Sequence, residues 1–193
     1  MQKLKRTDLF TLEAYAAERT AFRALVLAHK HDRKVALGEH VSLLFEDRLT
    51  IQYQIQEMLR IERIFEAEAI EEELDAYNPL IPDGGNLKAT MLIEYEDVEQ
   101  RKVALARLVG IEDHITVTVD GHPPVRAIAD EDMERSNETK TSAVHFLRFE
   151  FSEAMVAAAR AGARVEFASS HPAYLERTEL AGATRTTLLA DFD

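Results

Sequence analysis

The chain has 193 residues, with 23 lysines and arginines against 35 aspartates and glutamates, a net charge of −12, and neither cysteine nor tryptophan. That balance disfavours non-specific binding to nucleic acid or an anionic membrane, and the missing thiols exclude disulfides, cysteine-ligated iron–sulfur clusters, thiolate zinc sites and cysteine nucleophiles. Hydrophobic residues at 46% and charged residues at 30% are ordinary globular values, and the apolar runs are too short for a spanning helix or a signal-peptide core, so a single cytoplasmic domain is expected.

Thr11 ahead of Leu12, Glu13 and Ala14 reads as an N-cap, and Leu12, Tyr15, Ala16, Phe22, Val26 and His29 recur at helical spacing, which predicts a helix over about 12–31. Its closing cations His29, Lys30, His31 and Arg33 suit a helix C-terminus. Residues 1–34 hold eight bases and four acids, so the rest of the chain carries −16. Val41, Leu43 and Phe45 predict a strand, and Ile51, Ile55, Met58 and Phe65 form one stripe of a helix over about 49–65. A helix over about 67–77, stopped by Asn78-Pro79, carries the acidic run Glu66, Glu68, Glu71, Glu72, Glu73 and Asp75. A solvated face explains such a run, and docking on a basic partner, or on the basic N-terminal helix of a second copy, is the functional alternative.

The second half alternates further. Ala89, Met91, Ile93 and Tyr95 predict a strand, followed by a helix over about 97–108 and a strand of Ile115, Val117 and Val119. Asp120-Gly121 signals a hairpin whose return strand, preceded by Pro123-Pro124, belongs at a sheet edge. The acids Asp130, Glu131, Asp132, Glu134 and Glu138 fall in a loop, residues 142–151 read as a strand, 153–161 as a helix and Val165 and Phe167 as a last strand, with a partly helical tail after Pro172. The expected fold is α+β: one domain, 1–193, in which residues 35–193 build a mixed, largely antiparallel sheet of about six strands packed against helices.

Chemical motifs are few. There is no Gly-rich phosphate loop, no G-x-S-x-G elbow, no H-E-x-x-H and no helical Glu-x-x-His. Among seven histidines, His145 alone shares strand parity with Ala143, Leu147, Phe149 and Phe151, which points its ring to the apolar side. Such a ring needs a partner for each nitrogen, either as a satisfied core histidine or as a ligand or proton shuttle. His40 and His171 occupy loop–strand junctions, and a group of His40, His145 and His171 completed by Glu46 or Glu57 would suit zinc, iron or manganese. Gln52, Gln56, Glu57 and Arg60 pair along their helix or line a polar pocket with Arg148, which would offer an anion contact from the strand face opposite His145.

Leu43-Leu44-Phe45-Glu46-Asp47-Arg48, the long run Tyr53 to Ile64, Thr141 to Phe149 and His171-Pro172-Ala173-Tyr174 together resemble a bacterial family catalogued as domain of unknown function 3501. The resemblance covers nearly the whole chain. It implies a redox or peroxide-stress setting, with a rubrerythrin-like protein or an iron–sulfur oxidoreductase as partner, and it assigns no catalytic residues. Two expectations follow: a non-catalytic accessory protein that docks on a redox partner through its acidic surface, or a metal- or small-molecule-binding protein, enzymatic or not, built on His40, His145, His171 and Glu57. A homodimer fits either.

Overall fold

The computed structural model describes residues 1–137 and 139–192, so Glu138 of the acidic loop lies outside the described residues. Thr11 caps α1 (Leu12–His31) by accepting a hydrogen bond from the Ala14 amide. A hairpin follows, β1 (Lys34–Leu37) and β2 (Val41–Phe45). In α2 (Arg48–Glu62) the Asp47 and Thr50 side chains each bond the other's backbone amide, a reciprocal N-terminal cap. The helix stops three residues short of the predicted end because Arg63 turns left-handed at φ 57°.

Next come α3 (Ala67–Tyr77), β3 (Asn86–Ile93), α4 (Val98–Arg107), β4 (Ile115–Val119), β5 (Val125–Arg126), β6 (Ile128–Ala129) and β7 (Val144–Glu150). The chain ends with α5 (Glu153–Arg160), β8 (Val165–His171), β9 (Tyr174–Glu179) and α6 (Gly182–Leu189).

The α+β class is as expected, but the strands form two sheets rather than one. One has the order β1-β2-β3-β7-β6, the other β5-β4-β8-β9, and every pairing is antiparallel. β5 lies at an edge, as Pro123-Pro124 requires. The return strand then changes sheets: Val125 pairs with Val117 of one sheet, and three residues on Ile128 pairs with Arg148 of the other. The expectation of about six strands omitted β1, β6 and β9. β1 and β6 are short, and β9 is a mostly exposed edge strand whose Glu176, Arg177 and Glu179 obscure any apolar alternation.

The inner faces of the two sheets close on each other. Phe45 and Phe149 of the first sheet meet Phe167 of the second, with ring centroids 5.2 and 5.3 Å away. Leu43, Met91, Ile115, Val117 and Val119 fill the space around them with no solvent exposure, and each such side chain contributes on the order of 1.5–3 kcal/mol by burial. A second, smaller core of Leu4, Ile51, Ile55, Leu59, Leu74 and Ile81 joins the N-terminal segment, α2 and α3 on the outer side of the first sheet.

Two polar knots bind the layers. The Tyr174 hydroxyl of β9 donates to the Leu37 carbonyl at 2.7 Å and accepts from the His40 and Val41 amides at 3.0 and 3.1 Å, so it plugs the β1–β2 turn. Gly38 in that turn has φ 71°, and a Cβ there would come within 2.7 Å of the Tyr174 hydroxyl and of Glu176 Cγ. The second knot is Arg33, 1% exposed. Its guanidinium donates to the Phe45 and Glu46 carbonyls at 2.9 and 3.1 Å, pairs with Asp47 at 3.3 Å and forks onto Asp191 near the C-terminus. Burial pushes the Asp47 carboxyl up, but the Arg33 charge and the Thr50 amide outweigh it and hold this group below its ordinary range. At Asp191 burial prevails and the carboxyl is pushed up despite Arg33. Arg33→Ala is expected to cost about 3–5 kcal/mol in urea unfolding, because it strands buried carboxylates without their cation; a variant within about 1 kcal/mol of the parent would show that the knot is dispensable.

Candidate functional site

The β7 pleat turns His145 inward, opposite Met91 of β3, with 0% exposure. Both ring nitrogens are engaged. Nδ1 lies 2.6 Å from Asp130 Oδ2, and because an ionised carboxylate only accepts, Nδ1 carries the proton. Nε2 faces the Thr141 hydroxyl at 2.8 Å, the Ser142 carbonyl at 3.1 Å and Glu112 Oε2 at 3.8 Å. The Thr141 hydroxyl also reaches Glu112 Oε2 and lies 2.8 Å from the Ser136 hydroxyl, which bonds the other Glu112 oxygen.

Local structure delivers these groups. Asp130 directly follows β6 and adopts φ 49°, in the left-handed region that costs a non-glycine residue about a kilocalorie or more. That turn aims Oδ1 at the Phe146 amide, 2.9 Å away, while Oδ2 meets the imidazole. Arg135 folds back to Asp130 at 3.3 Å and also pairs with Asp132. Glu112, 7% exposed, sits in a short 3-10 turn, Ile111–His114, that Gly110 opens at φ 82°. Glu112, Asp130 and His145 each offer one ligand atom within 4.8 Å of the other two, and this is the one such group among the described residues. An open depression of about 660 Å³, lined by Gly110, Glu112, Asp130, Arg135 and Ser136, abuts it.

The structure does not bring the expected histidines together. His40 stacks on Tyr95, ring centroids 3.9 Å apart, with Nδ1 3.1 Å from the Glu94 carbonyl. His171 donates from Nε2 to the Val109 carbonyl and accepts the Ala173 amide at Nδ1, so both its nitrogens are taken locally. Glu57 lies on α2 and binds α1: it accepts the Tyr15 hydroxyl at 2.6 Å and a bidentate pair from Arg19 at 2.7 and 2.8 Å. Arg60 leans on the same carboxylate at 3.5 Å. Gln52 donates to the Asp8 carbonyl, and Gln56 accepts the Phe10 amide at 2.6 Å, so these two amides fasten the N-terminal segment to α2 instead of lining a pocket. Several N-terminal bases are likewise engaged within the chain: Lys3 with the Asn78 and Ile81 carbonyls, Arg19 with Glu57, and Lys34 with Glu94.

Glu46 and Arg148 do line a recess, a cleft of about 660 Å³ between α2, α3 and the outer face of the first sheet. His145 was legible through its parity. Asp130 was visible only as one member of an acidic loop, and Glu112, between Gly110 and His114, carried no signal because the partner it serves is 33 residues away in the chain.

Fold and site define an α+β protein of two antiparallel sheets with a buried histidine held between two carboxylates. The chain belongs to the family described as protein of unknown function (DUF3501), whose model matches residues 3–192. It is similar to a novel protein of unknown function from Burkholderia pseudomallei K96243, solved by crystallography at 1.90 Å resolution, with 53% identity over 100% of both chains and a TM-score of 0.93. No curated protein matches.

Glu57 has a pH signature of its own. Hydrogen bonds from Arg19 and Tyr15 hold its carboxyl down at about 2, against 4.5 ordinarily, and outweigh burial. A lowered folded-state value stabilises the fold above the unfolded value, and that contribution disappears as pH falls from 4.5 toward 2. Glu57→Gln is therefore expected to lower the urea midpoint at pH 7 and to flatten the acid limb of the stability profile; a variant with the parent's full acid slope would refute this assignment.

Proposed function

We propose that the protein binds a divalent first-row metal ion beside His145, with His145 Nε2 and the Glu112 carboxylate as ligands and Asp130 orienting the ring. The observation that carries this reading is the convergence of Glu112, Asp130 and His145 ligand atoms within 4.8 Å, with Glu112 and Asp130 lining an open depression and His145 buried behind them. Two metal–ligand bonds of about 2.0–2.2 Å at a tetrahedral angle hold their donor atoms roughly 3.4 Å apart. Nε2 and Glu112 Oε2, at 3.8 Å, need only a small shift to reach that spacing. Asp130, 2.6 Å from Nδ1, is too close to share an ion with that nitrogen and instead would hold the proton on Nδ1, while Nε2 would exchange its present contacts with the Thr141 hydroxyl and the Ser142 carbonyl for the ion. Thr141, Ser136 and the Ser142 carbonyl supply neighbouring oxygens. Nitrogen and oxygen donors without sulfur suit zinc, manganese or ferrous iron. The ion would also balance two nearly buried carboxylates whose nearby cation, Arg135, is shared with Asp132.

Elemental analysis of tag-free protein and titration with cobalt(II), zinc and manganese test the reading. One ion per chain is expected, lost in His145→Ala and Glu112→Gln, weakened about 10–100-fold in Asp130→Asn, and unchanged in His40→Ala and His171→Ala. No stoichiometric metal, and unfolding unaffected by any of these ions, would sink it.

A second reading is docking on a redox partner of the rubrerythrin-like or iron–sulfur kind. It is favoured by α3 and its approach, where Glu66, Glu68, Glu71, Glu72 and Asp75 are exposed and no lysine, arginine or histidine side chain pairs with them among the described residues. Ile61 and Phe65, just before this helix, are 62% and 68% exposed. A complex with such a partner is expected to dissociate at high salt and in the quadruple lysine variant of Glu68, Glu71, Glu72 and Asp75; a complex indifferent to both counts against the acidic face.

A further inference from the structure

We propose that the cleft between α2, α3 and the outer face of the first sheet binds a small organic cation, an ammonium carried on an aromatic or aliphatic body, with Glu46 as its counter-charge. This site is separate from the proposed metal group and does not depend on it. Glu46 leaves the end of β2, is 5% exposed and lines the cleft. Its oxygens are answered only by neutral hydroxyls, Thr50 at 2.5 Å and Thr90 at 2.7 Å. No lysine, arginine or histidine side chain pairs with its carboxylate among the described residues; Arg33 reaches only its backbone carbonyl. Each carboxylate oxygen has two acceptor directions, so each retains one for a ligand N–H. A buried carboxylate without a cation is costly, and a bound ammonium relieves that cost.

The bases around the cleft are already occupied. Arg148 places Nε and Nη2 on the two Glu131 oxygens at 2.7 Å each, and Nη1 on Glu150. Arg135 holds Asp132 and Asp130 while its guanidinium lies 4.6 Å over the Phe146 ring. Lys88 turns to the Pro79 and Ile81 carbonyls at 2.6 and 3.2 Å. The anion contact expected from Arg148 is thus filled from within the chain. Glu73, on α3 across the cleft, has no basic partner among the described residues, and burial together with Glu62 and Glu72 pushes its carboxyl up. Lining acids Glu46, Glu73, Glu131 and Asp132 exceed lining bases Lys88, Arg135 and Arg148 by one. Met58, Tyr77, Leu80 and Phe146 supply apolar wall for the body of the ligand, and the Tyr77 ring favours a cation besides, since Arg135 already lies over Phe146. The volume, about 660 Å³, is that of a small-molecule site.

The test is calorimetric titration of the EDTA-treated 193-residue chain with phenethylamine and, in parallel, with 3-phenylpropanol and 3-phenylpropionate, a neutral and an anionic counterpart of similar shape. The amine is expected to bind, with the alcohol and the acid roughly 30-fold weaker or silent, as for loss of a charge pair from a desolvated site. Glu46→Gln should remove that preference. Ala76→Trp, which fills the cleft from an exposed position on α3, should abolish binding with an unchanged unfolding curve, and it decides the location if Glu46→Gln fails to fold. His145→Ala should bind the amine normally, which separates this site from the metal reading. Equal binding of all three compounds, preference for the acid, no amine binding at about 5 mM ligand, or amine binding that survives both Glu46→Gln and Ala76→Trp would overturn the proposal.

Discussion

A guanidinium withdrawn from water must have its donors answered on the spot, and Arg33 is answered by parts of the chain that are far apart in sequence. Its partners are the carbonyls at the end of β2, the Asp47 cap of α2 and Asp191 near the C-terminus. The Asp47 carboxylate that starts α2 also meets His29 at the end of α1, so two helices, one strand and the C-terminal segment share a single charge network. Removing Arg33 leaves the buried Asp191 carboxylate without its cation, which makes such a network costly to break even where its net worth against a hydrophobic equivalent is small. The orientation of α2, and with it the wall of the cleft over Glu46, depends on that knot.

The same rule shapes the surroundings of His145. An inward imidazole in a sheet core is tolerable only if both nitrogens are satisfied, and the chain meets this demand by moving residues 125–129 from one sheet to the other. That passage ends at Asp130, whose strained backbone places one carboxylate oxygen on Nδ1 and the other on a β7 amide. Glu112 arrives from the turn before β4 and completes the group through Ser136 and Thr141. Strain together with two nearly buried carboxylates is more than a structural histidine requires, and this excess is what makes the group a ligand site worth testing. Tyr174 does comparable work between the sheets: one hydroxyl serves two amides and a carbonyl of the β1–β2 turn, and Gly38 leaves the room for it.

Much of this was legible locally. The Thr11 cap, the Asp120-Gly121 turn and the parity of His145 and Arg148 are near-neighbour properties, and the structure contains each of them; of the α2 stripe Ile51 and Ile55 are buried, whereas Phe65 lies beyond the helix and is exposed. The candidate ligand set was not. His40 and His171 sit at strand ends, as sequence reading placed them, but their rings are absorbed by Tyr95 and by the Val109 carbonyl, partners that no spacing rule connects to them. For Gln52, Gln56 and Glu57 the sequence left both pairing along the helix and a polar pocket open, because the segment packed on that face was not known; that segment is the N-terminal part of the same chain, and among the described residues Arg60 alone pairs with Glu57 along the helix.

By itself the sequence determined the α+β class, most helix and strand positions, the absence of thiol chemistry and the inward direction of one histidine. These follow from composition and from periods of two and 3.6 residues, which act within a few positions. Only the tertiary structure decided that the strands divide into two sheets, that Asp130 and Glu112 rather than His40 and His171 surround His145, and that the buried Glu46 carboxylate meets hydroxyls and no basic side chain among the described residues. Each of those outcomes depends on which distant segment answers a buried charge, and that is settled by the packing of whole layers, not by local pattern.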